Sequence, residues 1–164
     1  MAIKVINLQS SYGSNYKLPN TRAALLAHSA VDYLDAISLV TKNSARGPLT
    51  SFLLPSMHQA LELLTKAIAY TVDVAFDPKK YSHKTERLVR DYASRAPVFA
   101  SMTARPRVCE LLSSLEKAYL GVRYGECAWQ CDGEEWQLFS RIAEELLDDL
   151  HVRTELKFLP KHYA

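Results

Sequence analysis

From about residue 21 to about residue 155, apolar side chains recur at spacings of three and four, the period of a helix that turns one face inward. Asn20 or Thr21 is placed to cap the first helix, because a short side-chain oxygen accepts the unpaired amide protons of a first turn. Its stripe is Leu26, Ala30, Tyr33, Leu34, Ile37 and Val40, and "KNSARGP" at 42–48 ends it. The clearest amphipathic pattern follows, with Leu53, Met57, Ala60, Leu61, Leu64, Ala67, Ile68 and Val72 on one side. Pro55 is expected in the first turn of that second helix or at a break there. "FDPKKYS" reads as a loop. A third helix, about 83 to 95, turns Leu88, Val89 and Tyr92 inward and its basic residues outward. A fourth, about 105 to 122, carries Val108, Leu111, Leu112, Leu115, Tyr119 and Val122, with Pro106 suited to its first turn. A fifth starts near Asp132, where Glu135 three residues later makes a variant of the capping box. Its stripe is Trp136, Phe139, Ile142, Ala143, Leu146 and Leu150.

These elements predict an all-α fold, an antiparallel up-and-down bundle of four to five helices. Residues 1–20 are expected to form an arm or loop, in which "AIKVINL" suits a short strand or extended segment. Residues 21–155 are expected to form one bundle domain, and 156–164 an irregular tail. The 164-residue length suits one domain that buries a core without disulfides or metals. No uninterrupted apolar run approaches a membrane span, and "MAIKVINLQS" lacks the apolar core of a signal peptide. Three cysteines, an odd number, fit reduced thiols better than a disulfide framework. The expectation is a soluble, cytoplasmic chain with no membrane partner.

Charge changes the picture locally. Net charge is +2, yet residues 79–107 hold eight cations against two anions, and residues 126–155 hold nine anions against two cations. Such asymmetry marks a surface for an anionic partner, a surface for self-association, or two solvated helix faces. Tyr81 and Tyr92 lie within the basic run, and Tyr119 and Tyr124 beyond it. Rings stack on bases while Lys and Arg meet phosphates, the combination that suits single-stranded RNA or nucleotides. Tyr92 and Tyr119, however, fall on inward stripes, where core packing is the stronger reading.

Candidate chemistry is sparse. Cys127 and Cys131 are four apart and share a helix face, but two thiolates do not close a four-ligand zinc site. His58, His83 and Cys109 are the side chains able to complete one, and no spacing demands it. Small buried hydrophobes are the stronger reading of the cysteines. Neither a nucleophile elbow nor a phosphate-binding Gly-rich loop occurs. No metal and no cofactor are expected.

Three segments together resemble a known family. "SMHQALELLTKAIAY" at 56–70 resembles the second helix of HEPN domains, the higher eukaryotes and prokaryotes nucleotide-binding family. "YSHKTERLVRDYASRAPVFA" at 81–100 resembles the family's His-x-Leu-x-x-Leu segment, with Thr85 where Leu is frequent. "LEKAYLGVRYGE" at 115–126 resembles the helix that ends in Arg-Tyr. The resemblance implies an antiparallel bundle, often homodimeric. Many members are metal-independent ribonucleases of toxin–antitoxin and defence systems; others bind nucleotides or partner a small nucleotidyltransferase. The nuclease members place a polar residue after an Arg and a His five to seven positions after that Arg. Here Arg123 is followed by Tyr124, Gly125, Glu126, Cys127, Ala128, Trp129 and Gln130, and no His stands at that spacing. The one literal Arg-x5-His, Arg22 to His28, lies in the first helix with Ala23 in the polar position, and reads as a chance match.

The expected function is therefore a non-catalytic HEPN-like domain, homodimeric in the manner of the family, that binds a nucleotide, RNA or a partner protein. Arg123, Tyr124, His83, Lys84, Arg87 and Arg90 are the candidate binding residues, and no residue is assigned as catalytic. The alternatives are a ribonuclease toxin with a displaced site, using Arg123 with His83 or His58, and an unrelated helical interaction module.

Overall fold

The structure, a computed structural model, describes residues 21–43, 50–124 and 132–154. The expected arm at 1–20 and tail at 156–164, together with Cys127 and Cys131, lie outside the described residues. The regular elements among the described residues are helical: α1 (Arg22–Asn43), α2 (Thr50–Val72), α3 (Thr85–Asp91), α4 (Pro97–Thr103), α5 (Pro106–Tyr124) and α6 (Gly133–Thr154). A short 3-10 turn, Pro78–Lys80, interrupts the connection read as a loop.

α2 is the axis of the fold and packs against α1, α3, α5 and α6. Its 23 residues are apolar nearly all round, the composition of a helix surrounded by others. All the residues of its expected stripe except the half-buried Val72 are buried, and so are Leu54 and Ala69 on other sides. Pro55 sits in the second turn of a continuous helix rather than at its start. α1 and α2 are antiparallel by necessity. The seven peptide steps from Asn43 to Thr50 reach about 25 Å at most, whereas a 22-residue helix is about 33 Å long.

α1 departs from its expected stripe. Tyr33 faces outward, 39% exposed, and the buried face is Ala23, Ala24, Ala27, Ala30, Val31, Leu34 and Ile37. Small side chains let α1 lie close along α2, so the alanine face wins over the face with the larger ring. By length and composition, Arg22–Lys42 is also apolar enough to cross a membrane, which its short apolar runs did not suggest. Burial of the alanine face against α2 is the behaviour of a core helix.

The third helix is shorter than expected, ending at Asp91, and a separate α4 occupies a stretch given no element in sequence. Leu88, Val89 and Tyr92 are buried as expected. Pro97 occupies the first turn of α4, and Phe99 and Met102 are fully buried. A seven-residue helix shows too few turns for its period to stand out in sequence.

The N-terminal caps follow the sequence. Thr21 Oγ1 accepts from the Ala24 amide at 3.2 Å. At α6 the capping box is reciprocal: Asp132 Oδ1 accepts from the Glu135 amide at 2.8 Å, and Glu135 Oε2 accepts from the Asp132 amide at 3.1 Å. Asp132→Ala is expected to lower unfolding free energy by about 1 kcal/mol in urea titration. A change below about 0.3 kcal/mol would mean that the box contributes nothing in solution.

The two charged segments meet within one chain. Arg105 forks onto Glu145 at 2.8 and 2.5 Å, and Arg107 Nη1 lies 3.1 Å from Glu134. Part of the asymmetry is therefore complementarity between α6 and the start of α5. The two tyrosines of the basic run are also accounted for. Tyr81 and Tyr92 are buried beside Phe76, with ring centroids 5.8 and 5.6 Å from its ring. Tyr81 donates to Asp91, and Tyr92 donates to Asp73 at 2.8 Å. Burial and that bond push the Tyr92 hydroxyl up to about 12. Neither ring is presented for stacking on a base.

Candidate functional site

Three polar side chains interrupt the apolar surface of α2 at a spacing of four: His58, Glu62 and Lys66. Residues four apart stack on one face of a helix. That face meets the segment between the 3-10 turn and α3, and the two are joined by three side-chain bonds. His58 Nε2 donates to the His83 carbonyl at 3.1 Å. Lys66 Nζ donates to the Ser82 carbonyl at 2.7 Å and to Glu62 Oε1 at 2.5 Å. His83 Nδ1 donates to Glu62 Oε2 at 2.9 Å. A carbonyl and a carboxylate only accept, so the protons sit on His58 Nε2 and His83 Nδ1.

Two consecutive carbonyls, Ser82 and His83, are aimed at α2, and the backbone bends to do this. Ser82 has φ 46°, left-handed for a residue with a Cβ. Such a conformation costs on the order of 1 kcal/mol and persists where surrounding bonds hold it.

α5 closes the other side. The Tyr119 ring stacks on His58 with centroids 4.7 Å apart and 24° between planes, and lies 4.7 Å from His83 at 44°. Three residues earlier, Glu116 Oε1 accepts from the Glu86 amide at 2.7 Å. Lys84, the residue preceding α3, supplies no side-chain cap, so a carboxylate from another helix caps α3, where the helix dipole favours negative charge. Burial pushes the Glu116 carboxyl up, opposed by that amide bond.

The cluster runs from interior to surface. His58 is 1% exposed and Glu62 is 4% exposed, while the His83 side chain is 38% exposed. Burial pushes the His58 imidazole below its ordinary value, against the pull of Glu62. His83 opens into a shallow depression lined with Glu62, Lys66, Pro78, Lys79 and Ser82. With Nδ1 held by Glu62, Nε2 is the nitrogen that His83 offers to a ligand. One nitrogen does not fit the clasp: His58 Nδ1 is buried without a hydrogen-bond partner, 3.6 Å from Glu62 Oε2. Ligand atoms of His58, Glu62 and His83 all lie within 4.8 Å of one another.

The structure places the sequence candidates unevenly. His83 is at the centre of the cluster, and Lys84 is exposed beside it. Arg87 and Arg90 are exposed on α3 and paired along that helix, Arg87 with Asp91 at 3.8 Å and Arg90 with Glu86 at 2.7 Å. Arg123 and Tyr124 end α5, and their side chains lie outside the described residues. The register puts Arg123 one helical turn beyond Tyr119. His28 and Arg22 belong to α1, and burial pushes the His28 imidazole down. Of the three side chains considered for zinc in sequence, His58 and His83 do come together. Cys109 lies apart, its Sγ 4.0 Å from the Thr103 carbonyl.

Comparison with protein-family models, curated proteins and solved structures finds no match to this chain. The site is therefore read from its own geometry. Sequence reading missed Glu62, Lys66 and Glu116. The available signal was ionisable residues in register, four apart, on a helix otherwise without charge. A second cavity, about 180 Å³ between α1 and α6, is lined mainly by apolar residues such as Ile37, Trp136, Phe139 and Leu147. It brings together no comparable set of titratable groups.

Proposed function

We propose that this chain is a HEPN-like helical domain that works by binding a phosphate-bearing ligand, a nucleotide or RNA, at the surface where His83 emerges. The observation that carries this reading is the His83 ring, fixed at Nδ1 by buried Glu62, opening beside Lys66 and Lys79. A pre-oriented imidazole and ammonium groups are suited to phosphate oxygens. Lys84 is exposed next to His83 in the chain, and Arg87 and Arg90 are exposed on α3, which follows it. The exposed helical pairs of the two arginines are worth a few tenths of a kcal/mol, so a phosphate can replace the carboxylates at little cost. The homodimer of this reading is supported by α1, which exposes Leu25, Tyr33 and Leu39 on the side away from α2.

A second reading is favoured by one observation. A buried carboxylate holding one nitrogen of a half-exposed imidazole is the arrangement that positions a general base. With Arg123 one turn past Tyr119, this geometry supports the ribonuclease with a displaced site.

A thermal-shift titration with nucleotides and short single-stranded RNA tests the first reading. At about 100 times Kd the gain is about 2.7 kcal/mol, a rise of roughly 5–10 °C. Lys79→Glu with Lys84→Glu is expected to abolish the shift. If no phosphate-bearing ligand moves the transition, the binding reading falls. If the protein cuts RNA, and His83→Ala stops the cut in a folded protein, the non-catalytic reading gives way to the second. Light scattering at micromolar concentration is expected to give a dimer, and a strict monomer overturns that part.

A further inference from the structure

The clasp between α2 and the 82–83 segment uses one nitrogen of His58, both oxygens of Glu62 and one nitrogen of His83. It leaves His58 Nδ1 over. That atom is buried and faces Glu62 Oε2 across 3.6 Å, acceptor against acceptor. A hydrogen-bonding clasp gives no reason for this arrangement. A cation between the two atoms does.

We propose that His58 Nδ1, Glu62 Oε2 and His83 Nδ1 form a binding site for a divalent transition metal of the zinc type. Two imidazoles and one carboxylate make the donor set of an open zinc site, with a fourth position left for water or an anion. Donors on a tetrahedral ion stand about 3.3 Å apart for bonds near 2.05 Å. The two separations from Glu62 Oε2, 3.6 and 2.9 Å, fall on either side of that spacing. The ligand atoms of all three residues lie within 4.8 Å of one another, so closing the site takes movement of the imidazoles about the carboxylate and departure of the His83 Nδ1 proton.

The surroundings are those of a metal site. A ligating imidazole characteristically donates its other N–H to a carbonyl, which fixes tautomer and ring orientation. His58 does this through Nε2 to His83. The carboxylate is held by Lys66 through Oε1, leaving Oε2 for the ion. Tyr119 stacks on one ring and lies against the other, restricting both. His83, with 38% of its side chain exposed, is the most exposed of the three ligands. Softer sites would use thiolates, and Cys109, leaning on Thr103, is outside the cluster.

The proposal does not depend on the phosphate reading, and its test uses metal alone. Chelator-treated full-length protein is titrated with zinc against a chromogenic competitor. One equivalent is expected to bind, and His83→Asn, which removes a direct ligand, to weaken it by more than the roughly 100-fold that loss of an outer hydrogen-bond partner costs. The triple variant Cys109→Ser, Cys127→Ser, Cys131→Ser is expected to bind like the original. Cobalt substitution is expected to give a spectrum without a thiolate charge-transfer band. Nitrogen-15 spectra of the original protein, which need no variant, are expected to show the Nδ1 signals of His58 and His83 shifting together with zinc. The proposal is overturned if no stoichiometric equivalent binds, since the cluster is then a structural clasp only. Loss of binding in the cysteine variant, or unmoved histidine signals with metal bound, overturns it equally.

Discussion

Glu62→Ala is expected to lower unfolding free energy by about 3–5 kcal/mol, the cost of leaving a buried partner uncompensated. Urea titration reads this directly, and the melting temperature is expected to fall by roughly 10 °C. The substitution strands three groups at once. Lys66, with 12% of its side chain exposed, loses its counter-charge. His83 Nδ1 loses its acceptor, and the strained turn at Ser82 loses part of its anchorage. Glu62→Leu combined with Lys66→Met is expected to cost less than Glu62→Ala alone, because replacing a buried pair by apolar groups is often close to neutral. A loss below about 1 kcal/mol in Glu62→Ala would show that the cluster is solvated and does not hold the 82–83 segment.

Phe99→Ala is expected to cost about 3–5 kcal/mol, the range for emptying a core ring position. Phe99 is fully buried on α4, which packs on α3, α5 and α6. Seven residues do not hold a helix in water, so α4 exists because Phe99 and Met102 dock it. Removing the ring opens a cavity and loosens the helix. If the loss in urea titration stays below about 1 kcal/mol, the segment relaxes into the space and α4 is not a fixed part of the core.

How much was legible beforehand varies by element. The α2 stripe, the α6 stripe and the Asp132–Glu135 cap were readable because each depends on residues within a few positions of one another. Tyr33 was misjudged because periodicity reports which residues share a face, not which of two neighbouring faces meets the partner helix. Alanines lower the apolar contrast of a stripe while permitting the closest packing. His83 was picked out in sequence, but its partner Glu62 stands 21 residues away, and nothing in the spacing joins them. Arg105 and Arg107 read as part of a basic surface until Glu145 and Glu134 came beside them.

The sequence by itself determined that this chain is helical and where α1, α5 and α6 begin, because backbone propensity, capping and periodicity are local. Only the tertiary structure decided that the His, Glu and Lys of α2 face His83 and Tyr119, and that one imidazole nitrogen is left buried beside a carboxylate. Those are relations between segments, set by how apolar faces pack, and the order of residues along a helix does not encode what lies opposite it.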